Sequence, residues 1–148
     1  MIAYVDSSLV LRAYLEDEAG SEDAQRVLAD HRLAKVTGRW TRIEVSGAII
    51  RAARAGRLAT PVRSLARLDA DLRHGSGRIE VIAASDEEVE AKALAVAREH
   101  GLRALDALHV ALASIAVPQL ADKGEPLGFA SRDGDQAAVA AALGFAAV

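Results

Sequence analysis

The chain has no cysteine, which excludes disulfides, thiolate zinc sites, iron–sulfur clusters and a cysteine nucleophile. Aromatic residues make up only 3% of the 148 residues, so the core has to be built from Leu, Val, Ile and Ala. Alanine occurs 33 times, which favours helices. No apolar run reaches the roughly 18 residues that a membrane helix needs. The opening Met1-Ile2-Ala3-Tyr4-Val5-Asp6 meets an acid too early for a signal peptide. No glycine-rich phosphate loop and no Ser–His–Asp triad can be read. The expectation is a soluble, cytoplasmic, single domain over residues 1–148, with no membrane partner.

Charge is unevenly divided along the chain. The formal net charge is −3, yet residues 32–78 carry 11 basic and 3 acidic groups. Residues 1–31 carry 2 basic and 7 acidic groups, and residues 79–148 carry 5 and 11. Arginine supplies 15 of the basic groups against 3 lysines, and its planar fork suits phosphate. Solvated helix faces account for such a surplus on their own. The sharper reading is an acidic site beside a basic surface, which suits a polyanion held by metal.

Strand and helix patterns alternate. Ile2–Val5 reads as a first strand, followed by a helix carrying Leu9, Val10, Ala13 and Tyr14 on one side. After Gly20-Ser21, Ala24, Val27 and Leu28 mark a second helix ending near His31. Leu33–Val36 is a weak strand, and Thr41 begins a helix that Gly56 stops. Thr60-Pro61 predicts a capped restart, ending at Gly75-Ser76-Gly77. Ile79–Ala83 reads as a strand, and Ser85 with Glu88 as a capping box for a helix that Gly101 closes. A helix over Ala104–Ala116 is expected to end before Pro118, with a loop over Gln119–Pro126. Leu127–Ser131 then reads as a strand, Gln136–Leu143 as a helix and Phe145–Val148 as a last strand. Helices between strands imply α/β architecture, with a parallel sheet covered on both faces.

Four acids stand where such a sheet gathers its ligands, beyond the carboxyl ends of the strands. Asp6 follows the first strand, and Asp133 follows the fourth after Ser131-Arg132. Glu44 and Asp106 are expected in the first turns of their helices. Each has a structural alternative. Asp6 and Asp133 suit helix caps, Thr41-Arg42-Ile43-Glu44 suits a capping box, and Asp106 suits a helix dipole. Taken together, four carboxylates in one crevice repel unless a cation holds them. An oxygen-only ligand set points to Mg²⁺ or Mn²⁺ rather than zinc.

The segments Tyr4-Val5-Asp6-Ser7-Ser8, Thr41-Arg42-Ile43-Glu44, Leu105-Asp106-Ala107-Leu108-His109 and Phe129-Ala130-Ser131-Arg132-Asp133 resemble the PIN-domain nucleases. Length, element order and the closing Leu143-Gly144-Phe145 resemble especially the VapC-type toxins of prokaryotic toxin–antitoxin pairs. The likeness covers nearly the whole chain. It implies a PIN-like three-layer α/β/α sandwich with a central parallel sheet of four to five strands. It also implies a Mg²⁺-dependent endoribonuclease, with Mn²⁺ as a substitute, that hydrolyses RNA by metal-activated water. A cognate VapB-like antitoxin is the implied partner, in a homodimer or a toxin–antitoxin hetero-oligomer.

Residue by residue, the resemblance makes Asp6, Glu44, Asp106 and Asp133 the catalytic, metal-binding cluster, with Ser131 ordering it. Asp135, two residues beyond Asp133, is the competing late acid. His109 lies one turn after Asp106, where it can orient that carboxylate or reach substrate, or else pack among Leu105, Leu108 and Leu112. Ser7 and Ser8 are donors towards phosphate or, equally, helix caps. Arg51, Arg54, Arg57, Arg63 and Arg67 are the candidates for gripping RNA phosphates, whereas Trp40 and Tyr14 read as packing. Two other classes stay open: a catalytically inactive binding module on the same fold, and another metal-dependent phosphohydrolase. A receiver-like phosphoacceptor requires paired acids at the first strand and a late lysine, and neither is present.

Overall fold

In the computed structural model, which describes residues 1–15 and 17–148, elements run in the order the hydrophobic pattern predicts. They are β1 (Ile2–Val5), α1 (Ser7–Tyr14), α2 (Ser21–Ala29), β2 (Ala34–Gly38), α3 (Trp40–Arg54) and α4 (Pro61–Asp71). There follow β3 (Glu80–Ile82), α5 (Asp86–His100), α6 (Ala104–Leu120), β4 (Leu127–Ala130), α7 (Gly134–Ala142) and β5 (Ala146–Ala147). The five strands form one parallel sheet in the order β3-β2-β1-β4-β5. β1 is central, with Ile2 opposite Ala34 on one side and Tyr4 opposite Phe129 on the other. The chain winds one way from β1 to β3 and the other way through β4 to β5. That reversal opens a crevice beyond the carboxyl ends of β1 and β4.

Side chains alternate across each strand and so divide between two cores. Ile2, Tyr4, Val36, Ile82 and Phe129 pack with Val89, Val96, Val110, Leu112, Val117 and Val139 of α5, α6 and α7. Val5 and Ala130 pack on the opposite face with Leu9, Val10, Val45, Ile49 and Leu68 of α1, α3 and α4. The result is the three-layer α/β/α sandwich, with five strands. No single helix among the described residues is long and apolar enough to cross a membrane.

Four local expectations are corrected. β2 runs on to Gly38 instead of stopping at Val36, because it pairs with β3 through Thr37 and Gly38. α3 starts at Trp40 after Arg39, so Thr41 is inside the helix and is no cap. Its hydroxyl is buried against that of Thr37 at 2.7 Å. Glu44 consequently sits in the second turn, outside any capping box. Thr60 likewise makes no side-chain cap, although Pro61 does open α4. α6 continues through Pro118 to Leu120. A proline in the last turn removes only one ladder bond, and burial of Ala116 and Val117 holds that turn in place.

Gly38 closes β2 under the future site. Its N–H donates to the Tyr4 hydroxyl at 3.0 Å. A Cβ there would lie 2.8 Å from that hydroxyl, 2.9 Å from Leu112 and 3.0 Å from Trp40. Gly38→Ala is therefore expected to destabilise the fold by about 1–3 kcal/mol, as overpacked cores do. Urea unfolding measures this, and an unchanged midpoint would show that the three neighbours move aside freely.

Candidate active site

Two of the acids are held by the caps that the sequence suggested, and both face the crevice. Asp6 caps α1, its Oδ1 accepting from the Leu9 N–H at 3.1 Å and the Ser8 hydroxyl at 2.8 Å. Its Oδ2 lies 3.2 Å from the Ser131 hydroxyl, and its own N–H donates across to Ala130 at 3.0 Å. Asp133 caps α7, with Oδ1 accepting from the Gln136 N–H at 3.0 Å. Capping and site roles are thus compatible, since each carboxylate has a second oxygen to present.

Asp106 sits in the first turn of α6, as expected. Arg103, the residue capping that helix, donates from Nε to Asp106 Oδ2 at 2.8 Å and from Nη2 to Asp133 Oδ2 at 3.1 Å. One guanidinium therefore bridges two acids that lie on different helices. The hydrogen bond to Asp106, and then the charges of Asp106 and Asp133, raise the guanidinium's affinity for its proton.

Glu44 enters from α3 and is held by His109, whose Nε2 donates to Oε2 at 2.6 Å. The expected partner of His109 was Asp106 and the observed one is Glu44, because the buried imidazole points across to α3. The tautomer follows from the network. The Glu44 carboxylate can only accept, so Nε2 carries a proton, and with that tautomer Nδ1 accepts from the Tyr4 hydroxyl at 2.7 Å while Tyr4 accepts the Gly38 N–H. Burial holds the Tyr4 phenol protonated, well above its ordinary value. The ring also meets Tyr4 and Trp40 edge-on, with centroids at 5.7 and 6.1 Å.

The two classes of carboxylate differ electrostatically. Burial, outweighing the bonds from Ser8, Leu9 and Ser131, raises the Asp6 carboxyl above its ordinary value. Burial also acts to raise Glu44, but His109, Ser7 and the charge of Arg103 together hold it below its ordinary value. Glu44 is thus a committed anion, whereas Asp6 is ionised at an energetic cost that a cation relieves.

Ser131 joins the sheet edge to both ends of this arrangement. Its hydroxyl accepts the Asp133 N–H at 3.0 Å and lies 2.7 Å from Gln136 Oε1, besides its contact with Asp6. Gln136 is fully buried and donates from Nε2 to the Asp106 carbonyl at 3.3 Å. Ser8 accepts the Arg132 N–H at 2.8 Å, tying α1 to the segment after β4. Ser7 opens α1 half-buried beside Glu44. Asp135 is exposed in the first turn of α7.

The five candidate RNA-binding arginines lie further out. Arg51 and Arg54 occupy the last turn of α3, about 10 and 15 Å along the helix from Glu44. Arg57 pairs with Asp17 at 2.7 Å and Glu18 at 2.6 Å. Arg63 and Arg67 line a cleft of about 650 Å³ between the end of α1 and the start of α4, and Arg67 covers the Tyr14 ring at 4.9 Å. Arg103 is the arginine bonded to the site acids, whereas Arg39 pairs with Asp86 at 2.8 Å and lies 5.5 Å over Trp40. Sequence reasoning missed Arg103, Tyr4 and Gln136. Signals for two of them exist: Arg103 precedes Asp106 by the three residues of a helical pair, and Asp133-Gly134-Asp135-Gln136 has capping-box spacing.

No three Asp, Glu or His side chains among the described residues converge as a set able to hold one ion. The donor chemistry nevertheless fits a hard divalent cation. The facing oxygens are carboxylates, and two of them are already close enough to share a single positive group. If Asp133 is the fourth ligand, Asp133→Ala weakens Mn²⁺ binding at least tenfold while Asp135→Ala leaves it intact. Calorimetric titration of both variants decides it, and the opposite pattern reverses the assignment.

No curated protein is significantly similar to the chain in sequence. The PIN domain family matches residues 3–144, which takes in β1 to α7 and all four acids. With its parallel sheet and its carboxylates at the crevice of β1 and β4, the chain belongs to the PIN domain family, whose fold is of nuclease type.

Proposed function

We propose that the protein is a Mg²⁺- or Mn²⁺-dependent endoribonuclease that acts as the toxin of a type II toxin–antitoxin pair. The observation carrying this reading is the linkage of the acids: Arg103 bridges Asp106 and Asp133, Ser131 joins Asp133 to Asp6, and His109, on the same helix as Asp106, holds Glu44. Asp6, Asp106 and Asp133, with Glu44, would hold the ion. A divalent cation, when bound there, would supply Lewis acidity and charge neutralisation for the phosphodiester. Tyr4 and His109 fix Glu44, keeping the proton on Nε2 and the carboxylate anionic. Ser8 and Ser131 hold the Asp6 carboxylate against the β1 and β4 ends. Attack in line on the phosphate would leave a 5′-phosphate and a 3′-hydroxyl. Arg51, Arg54, Arg57, Arg63 and Arg67 are proposed to extend phosphate contact outward, alongside a VapB-like antitoxin that restrains the nuclease in the cytoplasm.

Purified protein should cleave RNA with Mn²⁺, be silent with EDTA and leave small phosphate esters untouched. Hydrolysis of the esters would favour a general phosphohydrolase, and silence in every condition would favour an inactive binding module. Expression of the chain alone from a tight promoter should slow growth and lower protein synthesis. Normal growth with soluble protein present would sink the toxin role while leaving the nuclease assay to stand alone.

A further inference from the structure

We infer that Arg103 is an exchangeable cation of the active site: it neutralises Asp106 and Asp133 without metal, competes with the divalent ion for them, and on release binds the RNA phosphate. The inference rests on the metal-dependent reading above and assigns a residue to substrate contact within it.

Three observations carry it. First, both acids make their only ion pairs among the described residues with this one side chain, so a single guanidinium relieves their mutual repulsion. Second, the backbone of Arg103 is held at the start of the helix while its side chain is open to solvent. Its carbonyl accepts the Ala107 N–H at 2.9 Å in the first turn of α6, yet the side chain is 78% exposed. An exposed pair of this kind contributes little stability and breaks readily, whereas a divalent ion gains from several carboxylates at once. Third, the guanidinium uses Nε and one Nη2 hydrogen on the acids, leaving three of its five donors without a protein partner among the described residues. A planar fork with free donors at the lip of an acidic crevice is suited to a phosphate oxygen pair. A side chain rotating from the acids to that phosphate would move its positive charge from the metal's place to the substrate.

The alternative is a fixed clamp, in which Arg103 simply fastens α6 to α7. The two differ in the sign of one measurement. For a competitor, Arg103→Ala binds Mn²⁺ at least threefold more tightly than wild type in calorimetry. For a clamp, it binds Mn²⁺ equally or more weakly, because the ligands lose their alignment. At saturating Mn²⁺ the same variant should cleave RNA at least tenfold more slowly, with Arg103→Lys intermediate because ammonium keeps charge but not the fork. Circular dichroism melting establishes that both variants are folded. Tighter Mn²⁺ binding with slower cleavage supports the inference. Unchanged or weaker Mn²⁺ binding overturns it, and tighter binding with wild-type cleavage overturns the substrate contact. Absence of Mn²⁺ binding in wild type and variant alike overturns the metal-dependent reading itself, and this inference with it.

Discussion

Asp6→Asn and Asp106→Asn are each expected to lower RNA cleavage by at least 100-fold, which corresponds to about 2.7 kcal/mol of lost transition-state stabilisation. Both substitutions keep the shape of the side chain while removing a charged oxygen from the crevice. At position 6 the asparagine oxygen can still accept from Leu9 and Ser8, so α1 retains its cap. Burial places the Asp6 carboxyl above its ordinary value, so its ionised form opposes folding of the metal-free protein. The melting temperature of metal-free Asp6→Asn should consequently hold or rise even as activity disappears. Cleavage kinetics under matched Mg²⁺, read beside calorimetric melting, separate the two effects. Wild-type cleavage by either variant removes that acid from the site.

His109→Ala should be the most damaging single change to stability, by about 2–5 kcal/mol. Truncation removes a buried ring between Tyr4 and Trp40, and the surrounding structure collapses only partly into the space. It also leaves the Tyr4 hydroxyl without its acceptor and Glu44 without its donor, and an unsatisfied buried group costs about 1–3 kcal/mol. His109→Gln supplies both an acceptor and a donor at nearly the same reach, so it should recover part of the loss. Urea unfolding of the three proteins provides the comparison. If His109→Ala unfolds within 0.5 kcal/mol of wild type (the usual range of a surface change), the relay through Tyr4 carries no stability.

What could be read in the sequence was local. Asp6 and Asp133 each follow an apolar run and precede a helix, so their caps and their place at strand ends follow from neighbours in the chain. Ile2 and Tyr4, two positions apart, share one face of β1 and Val5 serves the other, a division that four consecutive apolar residues do not reveal. Features decided across space were hidden. His109 reaches Tyr4 over 105 positions and Glu44 over 65, and no spacing rule links such residues. Glu44 moved two positions further into the helix because Arg39, which has no capping side-chain bond, takes the place that Thr41 would fill by preference. There, pairing of Gly38 with Ile82 and burial of Thr41 outweighed capping propensity. Pro118 was misjudged for a related reason, since packing of α6 overrode a strong local breaker.

The strand order has a consequence for synthesis. β4, the partner that completes the crevice beside β1, comes at Leu127–Ala130, and Asp133 follows it. An N-terminal fragment stopping short of Leu127 contains Asp6, Glu44 and Asp106 but lacks Ser131, Asp133 and the strand that fixes them. Such a fragment also leaves one edge of β1 unpaired, a template for misassembly. While the chain emerges at about 5–20 residues per second, it passes its first 126 residues without a finished site. A site of this topology is thus incomplete until the fourth strand has docked.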